Sequence, residues 1–463
     1  MKVYNSLTGM CLTVCIYGIA CGQVSSQQAA PVNAGSAPGD SIGSVSWLAR
    51  PGNFLFLNDP SSTDFYLYIN VRGNEIASDH KRVPLNISLV LDRSGSMSGN
   101  KIAYAKKAAG FVIEQLSNTD IVSIVNYDDR VEITSPSEPI KNKELIKKKI
   151  NELFDRGSTN LTGGMLEGYT QVKSTRKDGY VNRVLLLTDG LANQGITDPA
   201  QMKRIVEKKY NEEGIALSTF GLGADYNEDL LTMLAEIGRA NYYFIDNPDK
   251  IPTIFASELK GLLSVVAQNA WVEVKIPPQL ECVKVYGYPY DQKGNNITVR
   301  FNDVFAKDEK GILIKCRRKQ SLPEQLTFNC NLTYTDAHSF NSVTDQKDVV
   351  LNVTGNKQLL NEKEDTLVQE MISLFESTEV FDEIMTKVDE GDYEKARLMA
   401  DSAVIKLQEK QKVIRSEKLK KQEETISAYS KDIDKVKSMR QEDKKMYQKS
   451  NKSTNYGVKK GKR

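Results

Sequence analysis

The sequence predicts an α/β fold: a doubly wound, mostly parallel domain that is inserted in an antiparallel β-sandwich and followed by a helical C-terminal region. Between residues 86 and 267, short apolar runs alternate with amphipathic helical stretches. Residues 46–85 and 268–355 instead contain strand-like stretches, several with the two-residue alternation of a half-buried strand. Residues 356–463 are rich in charge and carry apolar residues at helical spacing. These three observations define the predicted architecture.

The N-terminus, residues 1–21, has the composition of an export signal. Lys2 supplies a positive charge, and residues 7–20 form an uncharged, mostly apolar run that is too short to span a bilayer. The run ends in a small residue followed by Cys21, which resembles a bacterial lipobox, although Gly18 stands where that motif usually has Leu. We predict lipidation at Cys21, with simple cleavage at the end of the run as the alternative. Either outcome places the mature protein outside the cytoplasm, and lipidation anchors it in the cell envelope.

The next two segments differ sharply in composition. Residues 22–45 are small and polar and cannot bury enough apolar surface to offset the entropy of ordering, so we predict a flexible linker. Residues 46–85 contain two β-rich stretches, 54–57 and 65–71, separated by a turn composition. Because two strands do not form a stable sheet alone, they are expected to pair with strands further along the chain.

Residues 86–267 supply the doubly wound, Rossmann-like domain. Its strands are recognised as short apolar runs, and its helices as stretches with apolar residues three and four apart. The uninterrupted apolar run at 184–187 indicates a parallel strand that is buried on both faces. The predicted strands are 87–91, 121–125, 130–134, 184–187, 215–222 and 241–245, and the predicted helices are 101–116, 142–155, 161–174, 199–212, 227–238 and 251–266.

Residues 268–355 return to the alternation of strands. Together with the earlier strands they are expected to form a β-sandwich that the α/β domain interrupts. The predicted strands are 271–276, 297–301, 312–316, 326–332 and 349–353. The cysteines outside the signal segment all lie here: Cys282, Cys316 and Cys330. Since they are odd in number, at most one pair can close, and free thiols and a single disulfide both remain open.

The C-terminal region, 356–463, is predicted to be helical throughout. Apolar residues at helical spacing mark two helices near 367–375 and 393–407, and the turn at 390–392 makes them a helical hairpin. Beyond residue 410 the apolar positions become isolated among Lys, Glu and Gln. We predict a charged, solvated helical tail there, with a coiled-coil dimer as the weaker alternative because long heptads are absent.

Three polar loops of the α/β domain follow or precede its buried elements. An apolar strand delivers Asp92 to its C-terminal end, and Ser94 and Ser96 follow at a spacing of two. A hydroxyl-rich loop precedes the helix at 161–174, and Asp189 ends the most apolar strand. In open α/β sheets, ligands bind in the crevice outside the C-terminal strand ends. Carboxylates and hydroxyls are the oxygen ligands that Mg²⁺ and other hard divalent cations prefer, so the loops predict a metal site.

Two further acids follow the strand at 121–125. Asp128 and Asp129 could lie on the same rim as the predicted metal site, but acids directly after a strand are common in turns. We therefore expect them to be ordinary acids of a hairpin turn rather than ligands of the cation.

The three loops resemble the metal-ion-dependent adhesion site of the von Willebrand factor A family. The matching motifs are Asp-x-Ser-x-Ser at 92–96, Gly-Ser-Thr at 157–159 and Thr-Asp-Gly at 188–190, and the resemblance extends over about residues 86–267. An A domain set among β-strands and followed by a helical tail is similar to secreted and lipoprotein-type bacterial members of that family. This three-part motif is specific, because each part contributes ligands from a different strand end.

The resemblance assigns a role to each motif residue. It implies that Ser94 and Ser96 coordinate the cation directly, that Thr159 does so when a ligand is engaged, and that Asp92 and Asp189 act through bound water. A carboxylate from a partner protein would complete the coordination. The implied cofactor is Mg²⁺, or another divalent cation such as Mn²⁺ or Ca²⁺.

Charge and motifs narrow the possible functions. The net charge of +2, from 62 basic and 60 acidic residues, gives no pull toward nucleic acid, and a membrane is expected only through the lipid anchor. No phosphate-binding GxxxxGK[ST] loop, HExxH or GxSxG motif occurs, and neither of the two histidines is near Ser94 or Ser96 in the sequence. We therefore predict a metal-dependent protein-binding module and not an enzyme. The alternative is a structural or assembly protein of the envelope in which the cation only stabilises the A domain.

Overall fold

The computed structural model of the chain describes residues 40–59, 64–75, 82–360 and 364–461. The predicted export signal, including Cys21, lies outside these described residues. Within the described ranges, no helix is long and apolar enough to cross a membrane. The same ranges form three β-sheets and ten α-helices.

Four strands precede the α/β domain. Two of them, β2 and β4, pair antiparallel over most of their length, and β1 pairs antiparallel with β2. The strand β1 falls inside the segment predicted as a flexible linker, so that prediction was wrong at its C-terminal end: backbone pairing orders a stretch whose side chains give no strand signal. The four strands are β1 (Asp40–Ile42), β2 (Val45–Pro51), β3 (Leu55–Leu57) and β4 (Asp64–Gly73).

The predicted doubly wound domain follows. Its strands are β5 (Leu85–Asp92), β6 (Ile121–Tyr127), β7 (Val131–Pro139), β8 (Val181–Thr188), β9 (Ala216–Leu222) and β10 (Tyr242–Ile245). Its helices are α1 (Asn100–Gln115), α2 (Lys143–Asn151), α3 (Leu161–Ser174), α4 (Pro199–Glu213), α5 (Glu228–Ile237) and α6 (Ile251–Leu262).

The sheet of this domain is parallel except at one edge. Its order is β10-β9-β8-β5-β6-β7, and only β6 and β7 pair antiparallel. Helices α1, α2 and α6 cover one face of the sheet, and α3, α4 and α5 cover the other. Every residue of β5, β6 and β9 is buried, which explains why these strands are mostly apolar, with only small polar residues such as Ser88, Ser123 and Ser218 among the apolar ones. The predicted fold class is confirmed for this domain.

Seven strands after the domain complete two scaffold sheets. They are β11 (Val265–Lys275), β12 (Leu280–Tyr286), β13 (Tyr290–Lys293), β14 (Asn296–Phe305), β15 (Glu309–Arg318), β16 (Gln325–Asp336) and β17 (Ser342–Thr354). One sheet has the order β1-β2-β4-β15-β12 and the other β13-β14-β11-β16-β17-β3. All neighbours are antiparallel except β17 and β3. Apolar side chains from both sheets form one core, so the strands before and after the α/β domain build a common sandwich.

The cysteines of the scaffold are free thiols. Cys282 on β12 and Cys316 on β15 are opposite each other across the two strands, and Cys330 lies on β16. Burial raises the pKa of Cys282 to about 11 and that of Cys330 to about 12. Because the thiolate is the reactive form, these side chains act as small apolar residues of the core.

Four helices close the chain: α7 (Thr366–Asp389), α8 (Tyr393–Val413), α9 (Glu417–Ser438) and α10 (Gln441–Lys459). They share a core with the outer face of the five-stranded sheet, through Leu48, Tyr68, Tyr286 and Leu313. The prediction of a solvated tail beyond residue 410 was wrong for α9 and α10. Apolar residues of α9 are buried along one face of the helix: Leu419, Ile426, Tyr429, Ile433 and Val436.

Candidate metal centre

The first loop of the candidate site begins where β5 ends. Asp92, the last residue of the strand, is fully buried. Its Oδ1 accepts a hydrogen bond from the backbone N–H of Ser94 at 2.8 Å, and its Oδ2 accepts one from the Thr188 hydroxyl at 2.7 Å. The Tyr127 hydroxyl lies 3.4 Å from the same Oδ2. Three strands, β5, β6 and β8, thus hold one carboxylate at the C-terminal edge of the sheet.

The electrostatics of Asp92 follow from that burial. Desolvation raises the pKa of Asp92 to about 6, hydrogen bonds from Thr188 and Ser94 oppose the shift, and the charge of Asp189 adds to it. Two buried acids that share a crevice repel each other, and a bound cation relieves this repulsion. The crevice is therefore electrostatically suited to positive charge.

The hydroxyls of the first loop point toward the second acid. Ser94 Oγ and Ser96 Oγ are 3.0 Å apart, and Ser96 Oγ donates to Asp189 Oδ1 at 2.7 Å. A short 3-10 turn from Gly95 to Met97 places the two serines on the same side of the loop. Four of the five residues predicted from the motifs are therefore joined by hydrogen bonds or direct oxygen contacts.

Thr159 completes the group from the second loop. The site of a hypothetical Cβ on Gly190 would be 3.4 Å from Thr159 Oγ1 and 3.6 Å from Ser96 Oγ, so both hydroxyls approach one point beside the third loop. Thr159 is buried, and its N–H donates to Asn193 Oδ1 at 2.9 Å. All five predicted residues thus lie in one crevice; whether they hold a cation stays a prediction.

Backbone contacts fix the first two loops against each other. The N–H of Gly95 donates to the Gly157 carbonyl at 3.0 Å, and the N–H of Arg156 donates to the Arg93 carbonyl at 2.8 Å. Gly157 has a φ of +69°, which favours glycine at this position. A side chain there would also collide with Asp129 Oδ1, which is 2.2 Å from the site of a Cβ.

Asp128 has a larger role than a turn acid. Its Oδ1 accepts from the backbone N–H of Arg130 at 2.7 Å, as expected in a turn. Its Oδ2 accepts from Arg93 Nε and from Arg156 Nε, both at 2.7 Å, and so clamps the first loop to the second. Burial opposes its charge, but the hydrogen bond from Arg156 and the nearby guanidinium of Arg93 hold the pKa of Asp128 below its ordinary value. The sequence reading that made it a turn acid alone was incomplete.

Lys101 is a residue of the site that sequence reasoning missed. Its Nζ lies 2.6 Å from Asp189 Oδ2, and the Asp189 side chain is fully buried. Lys101 is the second residue of α1, where a positive charge is disfavoured by the helix dipole. That unfavourable position was the signal in the sequence that could have drawn attention to it.

The donor set fits a hard divalent cation. Oxygen ligands about 2.0–2.1 Å from Mg²⁺ in an octahedron have neighbours about 2.9 Å away along each edge. The separation of 3.0 Å between the oxygens of Ser94 and Ser96 is close to that edge, and Asp189, which hydrogen-bonds to Ser96, can hold a water molecule of the cation. No cluster of three or more His, Cys, Asp or Glu side chains suited to a metal occurs among the described residues, so a cation here depends on the hydroxyls.

The family comparison agrees with the position of this site. The model of the von Willebrand factor type A domain matches residues 86–257, which contain all five motif residues. The uncharacterized protein YfbK of Escherichia coli is 33% identical over 208 residues, which cover 44% of this chain and 36% of YfbK. The chain thus spans only about a third of the length of that relative.

Two other relatives extend the similarity beyond the α/β domain. The uncharacterized protein sll0103 of Synechocystis is 28% identical over 344 residues, 71% of this chain and 80% of that protein. The solved structure of a von Willebrand factor type A protein from Catenulispora acidiphila superposes with a TM-score of 0.64 at 12% identity, covering 78% of this chain and 88% of that one. The second likeness is one of fold, and it includes scaffold as well as domain.

Proposed function

Because residues 86–257 are a von Willebrand factor type A domain, we propose that the chain is a metal-ion-dependent protein-binding module of the bacterial cell envelope, for adhesion or assembly. Its divalent cation engages a carboxylate of the partner protein. The observation that carries this proposal is the convergence of two carboxylates and three hydroxyls at the C-terminal edge of the sheet. Such an edge is where open α/β sheets bind ligands.

The five residues divide into two roles. Ser94 and Ser96 would hold the cation through their hydroxyl oxygens, and Thr159 would join them when the partner is bound. Asp92 and Asp189 would hold its water molecules and balance its charge. The cation supplies a positive centre that a partner carboxylate can ligate, and we propose Mg²⁺ for it.

Exposed apolar side chains on the same loops suggest what surrounds the partner's acid. Leu191, two residues after Asp189, is 55% exposed, and Phe154, three residues before Gly157, is 58% exposed. Large apolar residues on loops beside a polar site are typical of protein interfaces. We propose that the partner presents an acidic residue next to apolar ones.

Binding is favoured over catalysis by the chemistry of the crevice. Neutral hydroxyls and carboxylates that act through water give no strongly activated nucleophile, and each acid already accepts hydrogen bonds from neighbouring groups. Of the two histidines, His338 follows β16 in the scaffold, and His80 lies outside the described residues. A general base is therefore not available from histidine at this edge of the described domain.

The metal site is tested by two substitutions with opposite expectations. Asp92→Ala removes a carboxylate that holds the water shell of the cation, whereas Thr159→Ala removes only the hydroxyl that joins on partner binding. Calorimetric Mg²⁺ titration of the full chain should show binding weakened at least about tenfold in Asp92→Ala and nearly unchanged in Thr159→Ala. Capture of a protein partner should fall in both variants.

The matched control is Asp178→Ala, because the Asp178 side chain is exposed and lies just before β8, at the opposite edge of the sheet. It should bind Mg²⁺ like the wild type. Undiminished affinity in Asp92→Ala would show that the cation binds elsewhere. Partner capture that is equal with Mg²⁺ and with EDTA would favour the alternative, an assembly protein in which the cation only stabilises the domain.

Localisation rests on the N-terminal segment. We propose that the chain is exported and anchored by a lipid on Cys21, in the envelope of a bacterial cell. Metabolic labelling with a fatty acid, followed by membrane fractionation, tests this. Cys21→Ser should lose the label and leave the membrane fraction, whereas Cys15→Ser, within the apolar run, should keep both. Label that persists in Cys21→Ser would reject the lipoprotein assignment.

A further inference from the structure

Lys101 forms an ion pair with Asp189, one of the two carboxylates that are expected to balance the charge of the cation. Its Nζ is 2.6 Å from Asp189 Oδ2, while Ser96 Oγ donates to Asp189 Oδ1 at 2.7 Å. Both oxygens of this buried acid are therefore paired within the protein. The ammonium is itself an internal cation at the edge of the crevice.

The position of Lys101 in its helix has no local explanation. Helix α1 begins at Asn100, its N-cap is Gly99, and its first turn contains no acid. A positive charge in the first turn meets the positive end of the helix dipole and is unfavourable there. A residue that violates a local rule in this way is usually retained for a tertiary contact or a function. Among the residues that the structure describes, Asp189 alone forms an ion pair with Lys101.

The Lys101 side chain is also able to move away from Asp189. Lys101 is 32% exposed, in contrast to the fully buried carboxylate it contacts. Four methylene groups let its ammonium move into solvent without moving the backbone of α1. A divalent cation that binds beside Asp189 would then replace the monovalent ammonium of Lys101.

We propose that Lys101 is a resident counter-ion of the site: it neutralises Asp189 while the cation is absent, and it lowers the affinity for divalent cations because they must displace it. This inference rests on the proposed function, since it takes the cation to bind beside Asp189. Beyond that function, the affinity for the divalent cation depends on its replacing the Lys101 ammonium beside Asp189. Because the partner ligates the bound cation, its binding would then vary with the concentration of free divalent cation.

Mg²⁺ titration of the full-length protein tests the exchange. Lys101→Met removes the charge and keeps most of the stem. Mg²⁺ should then bind about tenfold more tightly or better, because it no longer has to displace an ammonium that is paired with Asp189. The matched control is Lys107→Met, an exposed lysine on the same helix, which should change the affinity less than about twofold. Lys101→Gln, with a polar side chain, repeats the charge removal if the Met variant folds poorly.

Thermal unfolding supplies a second readout. In EDTA, Lys101→Met should melt several degrees below the wild type, because Asp189 is left buried without a counter-ion. With saturating Mg²⁺ this difference should disappear or reverse. Affinities of Lys101→Met and Lys101→Gln equal to that of Lys107→Met, or weaker, would overturn the proposal.

The two proposals fail in different ways. If the wild type binds Mg²⁺, Asp92→Ala abolishes binding and Lys101→Met changes nothing, only the counter-ion is rejected. If neither the wild type nor either Lys101 variant binds Mg²⁺, both the metal site and the exchange are rejected. Binding in Lys101→Met but not in the wild type would support the exchange in its strongest form.

Discussion

Single side chains outside the predicted ligand set hold the loops of the candidate metal centre in place. Asp128 joins Arg93 of the first loop to Arg156 of the second through one carboxylate oxygen, at 2.7 Å each. Tyr127, one residue earlier, reaches in the opposite direction to Asp92 and to the Leu187 carbonyl. Two successive residues at the end of β6 thus position parts of all three loops. A sequence motif records the ligands of such a site but not the residues that hold the ligands in place.

Glu228 is a second residue whose environment has a measurable consequence. It is the first residue of α5 and is only 8% exposed. Burial raises the pKa of Glu228 to about 7, although the charges of Lys449 and Lys452 oppose the shift. The folded protein therefore holds a proton at Glu228 between about pH 4.5 and 7, where the unfolded chain releases it.

The sign of the resulting pH dependence follows directly. Where the folded state binds more protons than the unfolded state, the free energy of unfolding falls as pH rises. The contribution of Glu228 is complete below about pH 4.5 and is lost by about pH 7. Glu228→Gln removes this titration. The free energy of unfolding of the wild type minus that of the variant should therefore decrease by on the order of 1–3 kcal/mol between pH 4 and pH 8. Urea denaturation across this range measures it, and a flat difference would contradict the assigned pKa.

At the scale of helices and strands, the periodicity of apolar residues identified the elements whose burial is regular. The helix at 161–174 was predicted with the bounds of α3, because its buried face follows one regular helical stripe. Strand β5 was recognised from the apolar run at 87–91, and β8 from the one at 184–187. Edge elements were missed: β13 is exposed along its whole length, and a register shift after Cys282 breaks the alternation of β12. A pattern of burial cannot identify a strand that is not buried.

The C-terminal helix shows a different limit of sequence reasoning. Its sequence suggests a solvated helix because it is rich in lysine and poor in apolar residues, but those lysines have specific partners. Lys449 Nζ donates to the Tyr226 carbonyl at 2.9 Å and stacks over the Tyr226 ring, and Lys460 pairs with Glu236 at 3.0 Å. Tyr456 packs edge-on against Tyr242. Helix α10 thus binds the A domain through polar and aromatic contacts, and these contacts depend on residues about two hundred positions away.

The convergence of the five predicted residues was easier to predict than this packing. Asp92, Ser94, Ser96 and Asp189 come from loops that follow the parallel strands β5 and β8, whose C-terminal ends share one edge of the sheet. Thr159 lies on the loop between α2 and α3 and was predicted from the family resemblance. Lys101 and Asp128 could not be assigned in that way, because their partners, Asp189 and Arg156, are set by the conformation of the loops. The order of the parallel strands determines which of the loops at their C-terminal ends meet. The pairing of side chains within those loops depends on the conformation that each loop adopts.

At the scale of the whole molecule, the A domain and its scaffold are joined by a buried ion pair. Arg183 of β8 is almost fully buried; it binds Glu258 of α6 at 3.1 Å and Asp303 of β14 at 2.6 Å. One partner belongs to the domain and the other to the sandwich. Because a charge of this kind is costly when left unpaired, the pair favours one fixed arrangement of the two parts. The crevice, at the opposite edge of the sheet from the start of β8, does not depend on this junction.

The last prediction separates the two parts. A chain of residues 86–267 contains six strands, six helices, both helix-covered faces of the sheet and all five motif residues. It should fold and bind Mg²⁺ with an affinity within about threefold of the full chain, because Arg183 keeps Glu258 when Asp303 is absent.

Residues 268–355 alone lack β4, so the five-stranded sheet is reduced to β12 and β15 and the inner face of the other sheet is uncovered. That fragment should aggregate or remain unfolded, since two strands with an open edge are not stable alone. Dispersed amide resonances from residues 268–355 alone would show that the scaffold does not need the strands before the A domain, and loss of Mg²⁺ binding by folded 86–267 would show that the scaffold shapes the site.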